Sequence, residues 1–307
     1  GGVVTFGRQA VTSVQRESSM STQTANSTAL APNRITSRIG HALLYLLLIA
    51  GVALVVLPFV YMLSTSLKSL NEVFATPVQW IPAELRWDNF STAWREHPIE
   101  RYFKNSIIVA VSVTFLNLLT CSLAGYAFAK FSFPGRNLMF GIVLATLMIP
   151  LASMIIPLFM VVKTLGWVDT YWGLILPAGT SAFGIFLMRQ HMLTIPNDLI
   201  EAARLDGASE PRIFGGLILP MSKTALSSLA IFIFMWNWDS FFWPLLVTTN
   251  EKYRTLPLGI ALFESSYGTN YPQLMAVALM AMLPVLIVFL VLQRNFIEAL
   301  TMSGVKG

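Results

Sequence analysis

The chain has 307 residues, 55% of them hydrophobic and 11% charged, with a formal net charge of +5. A soluble domain carries about 25% charged residues, so the solvent of this chain is mostly lipid and an ordinary water-soluble globule is excluded. The positive balance is what the flanks of membrane spans require and is no signal for nucleic acid. One cysteine, Cys121, rules out an intrachain disulfide, and its apolar surroundings read as those of a small buried hydrophobe. His41, His97 and His191 lie far apart without metal-ligand spacing, so no metal and no cofactor is expected.

Residues 1–38 are rich in Ser, Thr, Asn and Gln and read as a flexible cytoplasmic tail; residues 39–307 form the membrane domain. Met20 marks a candidate native start, with residues 1–19 as an extension. The first apolar run is too long for a cleavable signal and lacks a small-residue cleavage site. A span needs roughly 20 apolar residues. Six segments qualify: 40–63, 105–129, 139–162, 173–188, 224–248 and 272–292. Most carry a proline (Pro58, Pro150, Pro157, Pro177, Pro244, Pro284), which predicts kinks of the kind a transporter uses. The expected fold is all-α and membrane-spanning, without internal repeat.

Charge sets the direction. With the N-terminus inside, the inner segments hold Arg8, Arg16, Arg34, Arg38, Lys130, Arg136, Arg189, Arg204, Arg212, Lys223, Arg294 and Lys306. The outer ones hold the smaller set Lys68, Arg86, Arg95, Arg101, Lys104, Lys163, Lys252 and Arg254. Both ends are therefore expected in the cytoplasm. The largest outer segment, 64–104, contains Trp80, Trp87, Trp94, Tyr102 and Phe103. It reads first as an interfacial helix packed on the bundle, and second as a docking surface for an external partner.

The stretch from Glu201 to Pro220, EAARLDGASEPRIFGGLILP, sits between the fourth and fifth spans. Pro196, Asn197 and Asp198 open a helix, with Asn197 as the expected N-cap. Gly207 stops it by accepting a left-handed backbone. A second short helix starts near Ser209, with Glu210 and Pro211 in its first turn. The small residues Ala202 and Ala203 let another surface approach closely. This stretch resembles the EAA loop of permease subunits of bacterial binding-protein-dependent ABC importers. The matching residues are Glu201, Ala202, Ala203, Asp206, Gly207, Ala208, Leu219 and Pro220. The resemblance implies a six-span permease of the type I importer kind, whose loop, about 189–223, couples it to an ATPase.

WNWDSFFWPLL (Trp236–Leu246), TLPLGIALF (Thr255–Phe263) and the final Gly304-Val305-Lys306-Gly307 are similar to the maltose-type second permease subunit of carbohydrate importers. That implies a heterodimer with a related permease, two copies of an ATP-binding subunit, an extracytoplasmic solute-binding protein and a sugar substrate. In many relatives Glu is the acid after Trp-Asn; here Trp238 intervenes before Asp239. Asp239 is the one acid placed inside a span, where a charge costs several kcal/mol unless it faces a partner or water. Two readings stand: Asn237, Asp239 and Trp236 line the sugar pathway, or Asp239 bonds the partner subunit or a backbone amide near the outer helix end.

No catalytic residue is expected, because no phosphate-binding G-x-x-x-x-G-K-[ST] loop exists and ATP chemistry must lie in another chain. Import of glycerol phosphate or another polyol is the alternative substrate reading. An ion-driven carrier predicts paired intramembrane charges and inverted repeats, neither of which the sequence shows.

Overall fold

The computed structural model describes the backbone of residues 34–266 and 270–304, and side chains within 40–262 and 270–293. The expected tail before Arg34, Met20 within it and the last three residues lie outside this range. The chain divides into two units after Val60. In the first, helix α1 (Arg34–Ser66, which runs on across the division) exposes every side chain from Gly40 to Val60. A helix that is apolar all round and buries nothing in its own chain is built to meet lipid or another subunit.

The second unit is also helical among its described residues. Its helices are α2 (Leu70–Val73), α3 (Asp88–Glu96), α4 (Ile99–Lys130), α5 (Arg136–Thr146), α6 (Leu151–Thr164), α7 (Tyr171–Ile175), α8 (Ala182–Leu193), α9 (Asn197–Leu205), α10 (Glu210–Ile213), α11 (Leu219–Met221), α12 (Lys223–Trp238), α13 (Phe242–Val247), α14 (Leu256–Ser266) and α15 (Tyr271–Gly304). The centre is α4, which packs against α8 and α12; α12 in turn packs on α15. At 1.5 Å per residue α4 is about 48 Å long, more than a bilayer core. Asn105, Val109, Val113, Asn117, Cys121, Gly125 and Ala129 recur every fourth residue and form its buried stripe. Close packing relies on small residues. A Cβ on Gly125 would lie 2.7 Å from Met188 Cβ, and one on Gly184 2.7 Å from Cys121 Sγ.

Among the described residues three helices are long and apolar enough to cross a membrane: Gly40–Ser66, Ile99–Lys130 and Tyr271–Gln293. Three bent pairs bring the number to as many as six. The expected third span is thus two helices, α5 and α6, at 101°, with Pro150 at the corner in an extended conformation. The fourth runs past its expected end to Leu193 and is bent by 42° between Ala178 and Ala182. The fifth stops at Trp238, short of the expected 248, and is entered through a 78° bend after Met221. Pro244 falls in the first turn of α13, where a missing N–H costs nothing. Pro58, Pro157 and Pro284 stay inside helices.

The 42° bend is chemically closed. Asn117 Nδ2 donates to Ala178 O at 2.6 Å and Thr120 Oγ1 to Gly179 O at 3.0 Å, so α4 satisfies carbonyls that the bend releases. In the outer segment, α3 packs against α15 and buries Asn89 and Ala93. Asn89 Nδ2 donates to Ser66 O and Lys68 O at 2.8 and 3.0 Å. Trp94 meets Phe103 edge-on at 5.8 Å, and Trp80 meets Tyr61 at 5.6 Å. Trp94, Tyr102 and Phe103 pack on the bundle, as the first reading of 64–104 expects, whereas Trp80 and Trp87 are exposed.

Candidate coupling loop and groove

The loop between α8 and α12 is anchored at its start by Lys130, which donates to Ile195 O and to Asn197 Oδ1 at 2.8 Å. Asn197 is therefore not the N-cap of α9. Pro196 holds that position in an extended conformation, and the Asn197 side chain is drawn off by the lysine. Ile200, Ile213 and Ile218 are buried and bind the loop to the core. Gly207 takes φ +80°, the left-handed turn expected of it, and Ala208 N donates to Ala203 O at 3.0 Å across the turn. Ser209 caps the next helix, with Pro211 in its first turn, as expected.

The two alanines divide. Ala202 is exposed, whereas Ala203 packs inward with Ala208 against the core, so only Ala202 is open to an approaching surface. Glu201, Asp206 and Gly207 are exposed; Leu219 is half-buried and Pro220 exposed. Leu205 is 90% exposed at the tip of α9. It stands beside the turn, next to the exposed Arg204, Asp206 and Gly207. The sequence reading missed it because α9 has a polar half, and only the fold shows that Ile200 turns inward and Leu205 outward.

Arg204 stands three residues from Glu201 on α9 but makes no ion pair with it. Its Nε bonds Glu210 Oε1 at 2.7 Å, across the Gly207 turn. Tyr126 Oη on α4 donates to the other oxygen of the same carboxylate at 3.0 Å. The Arg204 hydrogen bond, and then that of Tyr126, hold Glu210 below the ordinary carboxylate range against the opposing effect of burial. Glu201 is left facing outward, in no ion pair among the described residues. After Ile213 the backbone widens into a π-helical turn, Phe214–Ile218, and Leu219 N donates to Phe214 O. Leu219 and Pro220 then close the loop into the bend before α12.

The second candidate region lies at the other end of α12. Asp239 follows the last helical residue, is exposed, and its N–H closes on Met235 O at 3.0 Å. It lines an open groove of about 530 Å³ with Trp238, Phe241, Leu256, Ile260, Met282 and Val285 among others. Trp238 is buried, stacked on Phe234 at 5.8 Å, and its Nε1 donates to Ala281 O at 3.0 Å. The expected trio is not assembled. Asn237 Nδ2 turns back to Ile233 O at 2.8 Å, and Trp236 packs with Phe183 and Phe232 at 5.5 and 6.1 Å. Trp236 and Asn237 lie within α12 and turn to partners inside the bundle, whereas Asp239 lies past its last residue, on the groove. Among the described residues no cluster of His, Cys, Asp and Glu is suited to a metal.

Comparison with known proteins is consistent in family. An arabinooligosaccharides transport system permease protein, AraQ, of Halalkalibacterium halodurans is 37% identical over 255 residues, covering 82% of this chain and 91% of that protein. The sn-glycerol-3-phosphate transport system permease protein UgpE of Yersinia enterocolitica is 36% identical over 268 residues, covering 84% and 95%. In fold, the chain matches a chain of a bacterial ABC transporter involved in import of the acidic polysaccharide alginate, with TM-score 0.77 at 24% identity over 88% of this chain and 100% of that one. A second match, TM-score 0.59 at 16% identity, covers 85% and 96% and comes from the alginate transporter in complex with its pentasaccharide-bound periplasmic protein. Residues 121–301, which include both the loop and the groove, match the family described as binding-protein-dependent transport system inner membrane component, and the chain is a multi-pass permease belonging to that family.

Proposed function

We propose that this chain forms half of the translocation pathway of a sugar-importing ABC transporter and contains no catalytic residue of its own. Its partners are a second homologous permease, two ATP-binding subunits and an extracytoplasmic solute-binding protein, with both chain ends on the ATPase side. Residues 39–307 are the permease domain and 1–38 a tail. The observation that carries the reading is the loop itself: Glu201, Ala202, Leu205, Asp206 and Gly207 face outward from a base that is bonded to α4 and continuous with α12. A crosslink from a cysteine at Glu201 or Leu205 to a co-purified ATPase subunit tests it. The reading fails if neither position crosslinks under any nucleotide condition.

For the substrate, the lining of the groove favours a neutral sugar. Its wall is apolar and aromatic with one carboxylate, Asp239, and no Lys or Arg lines it. An anionic phosphate needs paired cations, whereas a neutral sugar uses hydroxyl bonds to a carboxylate and stacking on rings. The relatives carry both kinds of name, arabinooligosaccharides and sn-glycerol-3-phosphate. Uptake into proteoliposomes of a labelled arabinooligosaccharide against labelled glycerol 3-phosphate separates them. Uptake of the phosphate alone would refute the sugar reading.

A further inference from the structure

The loop and α4 meet in a knot of side chains drawn from four segments. Arg204 comes from α9, Glu210 from α10, Phe214 from the π turn, and Tyr126 from α4, with Phe131 just beyond it. The Tyr126 ring stands edge-on to Phe131 at 5.3 Å and tilts against Phe214 at 5.5 Å. Its hydroxyl reaches the Glu210 carboxylate at 3.0 Å, and that carboxylate holds Arg204 at 2.7 Å. The Arg204 guanidinium in turn lies 5.9 Å from the Phe131 ring centre. One acid therefore joins the outward-facing helix to the central helix α4. Charge-assisted hydrogen bonds are the strong, directional kind, and this one has both carboxylate oxygens engaged. The π turn at the same place inserts a residue into the helix, a device that recurs at functional sites.

We infer that Glu210 and Tyr126 are positioning residues that pass displacement of α9 to α4, so that α4 moves with the loop and shifts against the spans outside the link. The inference rests on the loop being the ATPase-docking element. Apolar contacts through Ile200, Ile213 and Ile218 hold the loop in place but permit sliding; a two-sided hydrogen bond fixes direction. Losing the Tyr126 hydroxyl leaves the ring and its packing intact, so the link is separable from the fold.

The test uses the full complex with its ATPase subunits, the other chains being free of cysteine. Spin labels go on Lys104→Cys and Lys163→Cys, both exposed at helix ends, while Cys121 is fully buried and takes no label. Pulsed EPR compares the nucleotide-free complex with the one trapped by MgADP and vanadate. With the native pair, trapping shifts the distance distribution. In Tyr126→Phe and in Glu210→Gln the shifted fraction falls about two- to threefold, the scale of a partly exposed charge-assisted hydrogen bond, with trapping unchanged. The double variant is no worse than the worse single one, because both remove the same link. Shifts equal to the native one in all three variants overturn the inference and leave the loop reading intact. Loss of assembly or of trapping in Tyr126→Phe also overturns it, since the pair then serves folding or the ATPase. Absence of any shift in the native complex overturns the loop reading itself.

Discussion

Two helices flank the loop, and their far ends are finished in opposite ways. The outer end of α8 meets the bend at 178–182, where Asn117 and Thr120 on α4 hold the released carbonyls. The outer end of α12 stops at Trp238 and closes on its own backbone, leaving Asp239 on an open groove. The first break is pinned to the central helix, and the second faces space a solute can fill. On the proposed coupling role, a push at the loop would reach one helix bonded to α4 and another that ends at the groove wall.

Asn117→Leu tests the pinned side and should have the largest effect. Leucine matches the volume but leaves Ala178 O without its donor in a buried site, at a cost of about 1–3 kcal/mol. The apparent Tm of the detergent-purified complex should fall by several degrees. If it does not move, the bend is not held by this bond, and the contrast between the two ends collapses.

Gly207→Val comes next, at about 1 kcal/mol or more for a β-branched residue forced to φ +80°. The loop turn lies between the two flanking helices, so strain there should misdirect both. ATP hydrolysis should continue while transport per ATP drops, and the melting of the spans should stay close to native. Normal transport by an assembled Gly207→Val complex would show that the turn geometry does not matter to coupling.

Where the sequence was legible follows from how local each feature is. The loop helix, its stop at Gly207 and the restart at Ser209 depend on backbone preferences within a few residues and stand as read, whereas the cap expected at Asn197 does not, because Lys130 takes its side chain from across the fold. The spans were legible as apolar lengths, but not their corners: Pro150 and Pro177 do not announce whether a helix bends or breaks. Pairings across the fold were invisible. Arg204 stands three residues from Glu201 and six from Glu210, and the i+3 rule favours the first, yet the Gly207 turn delivers the second. Asn117 reads as an odd polar residue in an apolar run until the bend at Ala178 supplies its partner. Trp236 and Asn237 turn to partners within the bundle while Asp239 falls beyond the end of α12, a boundary that an apolar run continuing to residue 248 does not reveal.

Asp239→Asn probes the open side. The carboxylate is exposed in this chain and no backbone group depends on it, so stability should change by less than about 0.5 kcal/mol. Transport should fall, or its sugar preference change, because an amide loses the charge that strengthens hydroxyl bonds. A fall in heterodimer stability with sugar preference intact would instead make Asp239 a contact with the partner permease, and the groove would cease to be the free end of the comparison.

The smallest effect concerns pH and the link that joins the loop to α4. Glu210 has its carboxyl held below the usual range, first by Arg204 and then by Tyr126. A folded-state pKa that is depressed contributes stability fully present above the unfolded value, about 4.3 for Glu, and lost as pH falls through the lower folded value. Arg204 and Glu210 are 43% and 40% exposed, so screening reduces the contribution to tenths of a kcal/mol. Global melting will not resolve that; backbone hydrogen exchange in α9 and α10 will. Native protection there should exceed that of Glu210→Gln at pH 6, and the two should converge as pH drops below about 4. Arg204 stays charged throughout, so convergence reports the carboxylate alone. A difference that persists unchanged at the lowest pH would mean that the glutamine perturbs packing around Tyr126 and Phe214, and that the acid's charge contributes nothing to holding the loop.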